Sequence, residues 1–314
     1  MPQRPVQPLT PFDPPPSPLG GTQVLRPDLV RVRLPLVNAY LMGLPGEPWV
    51  LLDAGVPGTA GLIRAAAKKH HADTPPRAIV LTHGHLDHIG GLRALLRTWP
   101  VPVYAHPAEL PHLTGQVPYP FPDPTVGGVM SALSPIFVPG PFDFRPDVQA
   151  LPAAGEVPFL PEWRWLHTPG HSAGHVSLWR ERDRTLLVGD AFVTTRQESV
   201  TGAFTQQPTL VHRPPAYYTP NWDAARASVR ALADLRPALV ATGHGHPMPE
   251  EQMADELQTL ARHFDEVARP QQGWYVSHPV PVGLPQPGPD VLKRLVLGGL
   301  AAAGALLLLN RWRR

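Results

Sequence analysis

The residues most able to do chemistry are four clusters of potential metal ligands. The densest covers residues 82–88, Thr-His-Gly-His-Leu-Asp-His, and offers three imidazoles and one carboxylate. Single candidates follow at His171, Asp190 and His244. Imidazole and carboxylate groups suit zinc, iron or manganese. Because the chain contains no cysteine, a metal site must use nitrogen and oxygen ligands alone.

Each cluster follows an apolar run that predicts a buried strand. The run 78–81, Ala-Ile-Val-Leu, ends at the His-rich segment, and similar runs precede the three later candidates. Loops at strand ends commonly carry functional residues. A polar loop whose histidines only cap a strand would explain one cluster. Four clusters at four strand ends favour one shared metal site.

The pattern between residues 22 and 270 predicts one mixed α/β domain. Strands at 29–34 and 39–42 are expected to pair, and Asn38 between them is interpreted as a turn residue. The other predicted elements are strands at 49–53, 78–82, 101–105, 163–166 and 238–241, a hairpin of 176–179 with 185–188, and helices at 59–71, 89–97, 223–235 and 250–267.

Proline is unusually frequent, at 44 of 314 residues against an average of about 5%. Much of it falls in three segments. Residues 1–21 lack the apolar core of a signal peptide and are predicted to be a disordered arm. Residues 107–161 are predicted to be an insertion or lid, and residues 271–290 a linker.

The C-terminal segment 291–314 is predicted to be a transmembrane tail anchor. Residues 295–309 form an uninterrupted run of apolar or small residues, with Lys293 and Arg294 before it and arginines after it. A helix counted from 291 to 312, with snorkelling basic side chains, would span about 33 Å, against roughly 30 Å of bilayer hydrocarbon. Because residues 1–21 lack the features of a signal peptide, the main domain is expected to be cytoplasmic. A terminal helix buried against the domain is the alternative.

Charge gives no indication of a nucleic-acid partner. The formal net charge is +2, and no stripe of Lys and Arg with interleaved aromatic residues is present in the sequence. A small molecule is therefore the expected substrate. The sequence leaves the oligomeric state open.

The order and spacing of the four clusters resemble the metallo-β-lactamase fold superfamily, whose HxHxDH signature stands at residues 83–88. The resemblance covers about residues 22–270. It implies an α/β fold, a four-layer αββα sandwich with metal at one edge of its two sheets. The proline-rich insertion and the C-terminal apolar helix would be additions to that fold.

The resemblance also implies two divalent metal ions, with zinc favoured over iron or manganese. Carried over residue by residue, His83, His85 and His171 would bind the first ion, Asp87, His88 and His244 the second, and Asp190 both.

Neighbouring polar residues are expected to support the site. His175 would form a supporting hydrogen bond, and Asp53 would fix the backbone of the His-rich loop. His246 competes with His244 for one ligand position, and the Gly-His-Gly pattern of the family favours His244. The remaining histidines near the clusters are interpreted as structural at His106 and as solvated at His70 and His71.

A hydroxide between two metals would attack an ester-type bond, with Asp87 orienting it. Bridging Asp190 resembles glyoxalase II-like thioesterases and lactonases, although quorum-sensing lactonases carry a tyrosine where this chain has Ala191-Phe192-Val193. A phosphodiesterase and a non-catalytic, membrane-tethered metal-binding protein are the alternatives. Segments 197–199, 214–220 and 119–144 would line a substrate pocket or simply pack as loops.

Overall fold

The computed structural model describes residues 18–137, 139–285, 288, 290–299 and 301. Its strands are β1 Thr22–Arg26, β2 Leu29–Arg33, β3 Asn38–Met42, β4 Val50–Leu52, β5 Ala78–Val80, β6 Val103–Ala105, β7 Val148–Ala150, β8 Glu156–Val157, β9 Leu160–His167, β10 Val176–Arg180, β11 Thr185–Gly189, β12 Leu239–Thr242 and β13 Met248–Pro249.

The α-helices are α1 Ala60–His71, α2 Leu86–Ile89, α3 Leu92–Leu96, α4 Leu110–Leu113, α5 Val129–Leu133, α6 Val200–Thr205, α7 Trp222–Asp234, α8 Glu250–Arg262, α9 Phe264–Val267 and α10 Trp274–Ser277. Short 3-10 turns cover Pro107–Glu109, Ser134–Ile136, Glu181–Asp183 and Ala216–Tyr218.

Two mixed sheets organise these strands. The first runs in chain order from β1 to β7, antiparallel up to β4 and parallel from β4 onward. The second has the order β13-β12-β11-β10-β9-β8, with its parallel pair at β11 and β12. The parallel strands direct their C-terminal ends, and the loops that follow, to one edge of each sheet.

Three apolar cores stack these elements into layers. One core lies between the sheets and joins Tyr40 and Leu52 of the first to Trp163 and Leu178 of the second. A second core packs α1 and α3 on the outer face of the first sheet, and a third packs α7 and α8 on the second. This arrangement confirms the α/β fold with helices outside two sheets.

The predicted elements are found with shifted ends. The paired strands 29–34 and 39–42 correspond to β2 and β3, and the predicted hairpin is the antiparallel pair β10 and β11. The helix expected at 89–97 is divided into α2 and α3, which meet at Gly90 and Gly91.

Two interpretations of single residues were wrong. Asn38 is not a turn residue, because it is the first residue of β3 and pairs with Arg33. His71 is not solvated, because its ring stacks on Trp49 with centroids 4.5 Å apart and is buried at the end of α1. His70 is half-buried beside the Thr22 hydroxyl.

The proline-rich segments are partly built into the domain. Segment 107–161 supplies β7, which extends the first sheet, and β8, which joins the second. Within the predicted linker, α10 places Tyr275 in a small core with Phe121 and Leu292.

The predicted tail anchor is described only in its first part. Residues 291–299 are helical, whereas residues 300 and 302–314 lie outside the described residues, as do residues 1–17 of the predicted arm. Over the part of the chain that is described, no helix has the length and apolar character needed to cross a bilayer. The anchor therefore stays a prediction.

Candidate metal centre

The seven predicted donor residues lie together where strand ends of both sheets meet. His83 and His85 lie in the loop after β5, and Asp87 and His88 lie in the following helix α2. The donors from the second sheet are His171 after β9, Asp190 after β11 and His244 after β12. These residues form three groups, and within each group the potential ligand atoms lie within 4.8 Å of one another. The groups are His83/His85/His171, His83/His88/Asp190 and Asp87/His88/His244.

The first cluster consists of His83, His85 and His171. The Nε2 atom of His171 lies 2.9 Å from Nδ1 of His85 and 3.2 Å from Nε2 of His83. Two ligands of a tetrahedral zinc site are roughly 3.3 Å apart, given zinc–nitrogen distances of about 2.0–2.1 Å. The three ring nitrogens are therefore spaced as ligands of one ion would be.

The second cluster consists of Asp87, His88 and His244. Nε2 of His244 lies 3.3 Å from Oδ2 of Asp87 and 2.9 Å from Oδ2 of Asp190. The same Asp190 oxygen lies 3.5 Å from both His88 Nε2 and His171 Nε2. Asp190 thus connects the two clusters through a single atom.

Two atoms of the candidate metal ligands have no hydrogen-bond partner within the described part of the chain. His88 Nε2 and Asp190 Oδ1 are buried and accept or donate no hydrogen bond. Unsatisfied buried polar atoms are costly, on the order of 1–3 kcal/mol each. A cation between the ligands would satisfy them, so the donor set fits divalent metal ions.

The two clusters differ in electrostatics. Burial lowers the pKa of His85 to about 4 and that of His83 and His171 well below the ordinary value, so these imidazoles stay in the neutral form that binds metal. In the second cluster burial is outweighed by Asp190, which raises the pKa of His88 well above its ordinary value and that of His244 to about 10. Carboxylates therefore make the second cluster strongly attractive to positive charge.

The histidines of the second cluster are fixed at their far ring nitrogens. His88 Nδ1 lies 2.8 Å from Oδ2 of Asp53, and His244 Nδ1 lies 2.7 Å from the carbonyl oxygen of Leu36. A hydrogen bond from Nδ1 leaves Nε2 free to act as a ligand. Asp53 also accepts bonds of 2.8 Å from the backbone N–H and the hydroxyl of Thr82, which confirms its predicted role in the loop.

His175 supports Asp190, as predicted. Its Nε2 accepts a 2.8 Å hydrogen bond from the backbone N–H of Asp190, and its Nδ1 lies 2.9 Å from the Thr168 hydroxyl. His246 is not part of the donor groups, because its Nδ1 faces the Arg31 guanidinium at 3.3 Å. The structure therefore places His244, rather than His246, at the centre.

Two residues of the first sheet have supporting roles that the sequence did not indicate. Asn38 donates from its backbone to the Gly243 carbonyl at 2.7 Å and from its side chain to the Gly245 carbonyl at 2.8 Å. Fully buried Arg31 donates to Asn38 Oδ1 at 2.9 Å and to the same Gly245 carbonyl at 3.2 Å. These bonds cross between the sheets and hold the loop of His244.

Glu109 holds the loops of the first cluster and was also missed. Its Oε1 accepts bonds from Ser172 Oγ at 2.7 Å and Gly174 N–H at 2.8 Å, on the loop of His171. Its Oε2 accepts from Gly84 N–H at 3.0 Å, between His83 and His85, and from the Tyr119 hydroxyl. Glu109 lies in segment 107–161, where no local pattern marks it.

Two glycines allow the close approach of loops to the donors. A Cβ on Gly243 would lie 2.1 Å from Asp190 Oδ1 and 2.8 Å from the His88 ring. A Cβ on Gly84 would lie 2.3 Å from the Tyr119 hydroxyl. Both positions need a residue without a side chain, which explains the glycine beside a histidine in both motifs.

A cavity of about 340 Å³ opens beside His85 and His171. Parts of two predicted pocket segments line it, namely residues 119–121 and Tyr217, Tyr218 and Pro220. Glu198, from the third segment, does not reach this cavity. It is buried elsewhere, with its carboxylate 3.1 Å from His212 Nε2 and 3.2 Å from Arg213 Nε.

Comparison with known proteins defines the class. A family model described as the metallo-beta-lactamase superfamily matches residues 32–244. The chain is 43% identical over 236 residues to the "probable metallo-hydrolase YflN" of Bacillus subtilis, covering 74% of this chain and 89% of that protein. It is 30% identical to the "probable metallo-hydrolase YybB" of the same organism, covering 69% and 83%.

A solved structure agrees with the fold. The crystal structure of a beta-lactamase domain protein from Burkholderia ambifaria superposes with a TM-score of 0.53 at 20% identity, covering 79% of this chain and 78% of that one. Fold and donor set together define a metal-dependent hydrolase. The chain belongs to the metallo-β-lactamase superfamily.

Proposed function

We propose that the chain is a dinuclear metal-dependent hydrolase of ester-type bonds, with thioesters or lactones favoured. The observation that carries this proposal is Asp190 Oδ2, which lies 3.5 Å from a histidine of each cluster. A carboxylate oxygen shared by two complete sets of donors is suited to hold two ions close together.

The proposed ligands follow the two clusters. His83, His85 and His171 would hold one ion, Asp87, His88 and His244 the other, and Asp190 both. Zinc is favoured by the imidazole-rich donor set, with iron or manganese as alternatives. When bound, the two ions would lower the pKa of water and polarise the scissile carbonyl group.

Asp87 would orient the attacking water. Its side chain is 27% exposed, whereas those of His244 and Asp190 are 2% exposed, so Asp87 lies on the open side of the centre. Burial opposes its ionisation, but His88 and His244 hold the pKa of Asp87 far below the ordinary value. The carboxylate is therefore ionised and accepts a hydrogen bond from water, which directs the oxygen lone pair toward the carbonyl carbon.

Metal analysis combined with a substrate panel tests the function. We expect about two metal ions per chain and hydrolysis of thioesters, lactones or aryl esters. Asp87→Ala and Asp190→Ala should each lower kcat/KM by roughly a thousandfold or more. His263→Ala, which removes an exposed histidine outside the centre, should leave metal content and activity unchanged.

Other outcomes would select the alternatives. Hydrolysis of phosphodiesters but not of carboxylic esters would indicate a phosphodiesterase. A fully metal-loaded chain without activity on the panel would indicate a non-catalytic metal-binding protein, and a chain that binds no zinc, iron or manganese would contradict the proposal.

The glyoxalase II-like branch and the membrane anchor rest on the sequence. Truncation after residue 301 would remove residues 302–309, just over half of the apolar run, and keep Val291 and Leu292, which line the cavity. We expect the shortened chain to leave the membrane fraction and keep its hydrolytic activity. Equal distribution of both chains after fractionation would refute the anchor.

A further inference from the structure

We propose that the cavity beside His85 and His171 binds a neutral, apolar group of the substrate, attached to one side of the scissile bond. This inference deepens the proposed ester hydrolysis and rests on it. Four features of the described residues support it: the lining, its contact with the donor rings, its charge and its rigidity.

The lining of the cavity is largely aromatic and aliphatic. Its main side chains are Tyr119, Phe121, Tyr218, Trp274, Tyr275 and Leu292. A volume of about 340 Å³ is at the lower end of the range for small-molecule sites, so the cavity suits a short chain or a single ring. Burial of such a group against these side chains is favourable at about 25 cal/mol per Å² of apolar surface.

The cavity adjoins the metal ligands directly. The ring of Tyr218 stacks on His85 with centroids 4.3 Å apart, and Tyr119 meets the same imidazole edge-on at 4.7 Å. His171 forms part of the cavity wall. A group bound in the cavity against these tyrosines is therefore next to the place where a carbonyl would meet the first cluster.

The charge of the lining excludes an anionic group. Among the described residues that line the cavity, none is Lys or Arg. Asp290 contributes a carboxylate, which accepts bonds of 2.8 Å from the backbone N–H groups of Phe121 and Lys293. Away from the metal ligands, a substrate carboxylate or phosphate in this cavity would face a negative charge with no Lys or Arg of the described lining to pair with it.

The lining histidines are engaged in other contacts. His112 Nδ1 donates to the Val117 carbonyl at 2.8 Å, and burial lowers the pKa of His112. The ring of His278 stacks on Trp274 at 3.9 Å. Burial thus disfavours a charge on His112, and His278 is exposed, so neither residue is a buried cation that would pair with an anionic ligand.

The outer wall is tied to the domain by hydrogen bonds. Val280 N–H donates to the Pro220 carbonyl at 2.9 Å, and the Asn221 side chain donates to the Val280 carbonyl at 2.8 Å. The Tyr275 hydroxyl donates to the Phe121 carbonyl at 2.7 Å. A wall held in this way is formed before the ligand arrives, which lowers the entropic cost of binding.

Kinetics on the metal-loaded full chain provide the first test. Phenyl thioesters of acetic, butanoic and hexanoic acid vary the acyl side, and acetate esters of ethanol, butanol and hexanol vary the other. We expect kcat/KM to rise about two- to fourfold per added methylene on one side. The hexanedioic acid monothioester, which differs from the hexanoyl thioester by a terminal carboxylate, should react at least about tenfold more slowly.

A charge-introducing variant sharpens the test. Val282 lines the cavity and is 41% exposed, so Val282→Lys should fold. It should narrow or reverse the preference for the hexanoyl thioester over its carboxylated analogue. Val200→Lys, at a position 44% exposed and outside this cavity, should retain the wild-type preference.

Binding separates failure of this inference from failure of the proposed function. Hexanamide and the monoamide of hexanedioic acid have the same length, and calorimetry on metal-loaded protein should show tighter binding of hexanamide. If no ester reacts but hexanamide is preferred, the hydrolase proposal fails and the cavity assignment stands. If esters react with no chain-length dependence on either side and the two amides bind equally, the cavity assignment is overturned.

Discussion

The two clusters of the metal centre are held in different ways. In the second cluster, His88 and His244 are each fixed at Nδ1, by Asp53 and by the Leu36 carbonyl. In the first cluster, Glu109 instead fixes the backbone of the loops that carry the histidines. His171 Nδ1 is buried without a hydrogen-bond partner among the described residues.

This difference separates control of a ligand from control of a loop. Asp53 acts within the first sheet on one neighbouring loop, and its bond to His88 sets the orientation of a single ring. Glu109 joins three separate segments: the His-rich loop, the loop of His171 and the cavity wall at Tyr119. Changes at Asp53 should therefore affect the second metal most, through His88, with a smaller effect at the first through Thr82 and the loop of His83. Changes at Glu109 should affect the first cluster together with the substrate cavity.

The largest effect that tests this comparison is expected for Asp53→Asn. Asp53 accepts from the Thr82 N–H at Oδ1 and from His88 Nδ1 at Oδ2, and an asparagine amide can accept at only one of these positions. Either the His88 ring or the backbone that leads to His83 then loses its partner. Affinity of the second metal should fall about 10- to 100-fold, as is typical when a partner of a ligating histidine is removed. Stepwise zinc titration of the apoprotein measures both affinities.

A double-mutant cycle identifies the cluster that Asp53 controls. In a chain that carries His88→Ala, Asp53→Asn should lower the affinity for the second metal little further. In a chain that carries His171→Ala, it should lower that affinity by its full amount. Equal effects in both backgrounds would contradict a role that acts mainly on the second cluster through His88.

Glu109→Gln should have the next largest effect. One carboxylate oxygen becomes an NH₂ group, which must face either Gly84 and Tyr119 or Ser172 and Gly174, and in each pair the glycine N–H can only donate. Leaving such buried donors unpaired should lower the free energy of unfolding by about 1–3 kcal/mol. Affinity for the first metal should weaken, with the second metal affected less, and KM for ester substrates should rise.

The same titrations check Glu109. A uniform loss of both metals in proportion to the loss of stability would show that Glu109 is merely structural. Loss of the first metal at a temperature where circular dichroism shows a folded chain supports a positioning role.

The smallest effect on the centre is expected for Glu198→Gln, a matched control. Glu198 is also a buried carboxylate, but it accepts hydrogen bonds from His212, Arg213 and the Ala216 N–H. None of these three residues is a candidate metal ligand. Burial opposes ionisation, but the hydrogen bond from His212 and the charge of Arg213 lower the pKa of Glu198 to about 2. Both metal affinities should stay unchanged in this variant.

The difference in stability between the wild type and Glu198→Gln should depend on pH. Because the folded-state pKa lies below the ordinary value of 4.5, the carboxylate stabilises the fold above pH 4.5 and loses this effect as the pH falls toward about 2. The variant should be less stable than the wild type by roughly 2–3 kcal/mol at pH 7, and the difference should shrink between pH 5 and pH 3. Urea unfolding of the apoproteins measures it, and a gap that widens on acidification would contradict this account.

Local patterns in the sequence were sufficient to predict seven candidate metal ligands that the structure brings together. Apolar runs that end at His83, His171, Asp190 and His244 report strands and their loops, because side-chain periodicity and turn residues are local properties. Asp53 and His175 could also be assigned supporting roles, since each lies beside a recognisable motif. The superfamily and the layered fold followed from the order of these motifs.

The tertiary structure decided which distant residues hold the donors and what surrounds them. Arg31, Asn38 and Glu109 act across 25 to 214 sequence positions, and nothing in their neighbouring residues marks them. The cavity beside His85 combines the insertion, the loop at 217–221 and the C-terminal segment, which meet only when the sheets pack. Local sequence is thus sufficient to predict the candidate metal ligands. The orientation of their rings and the lining of the cavity arise from long-range packing that local periodicity cannot encode.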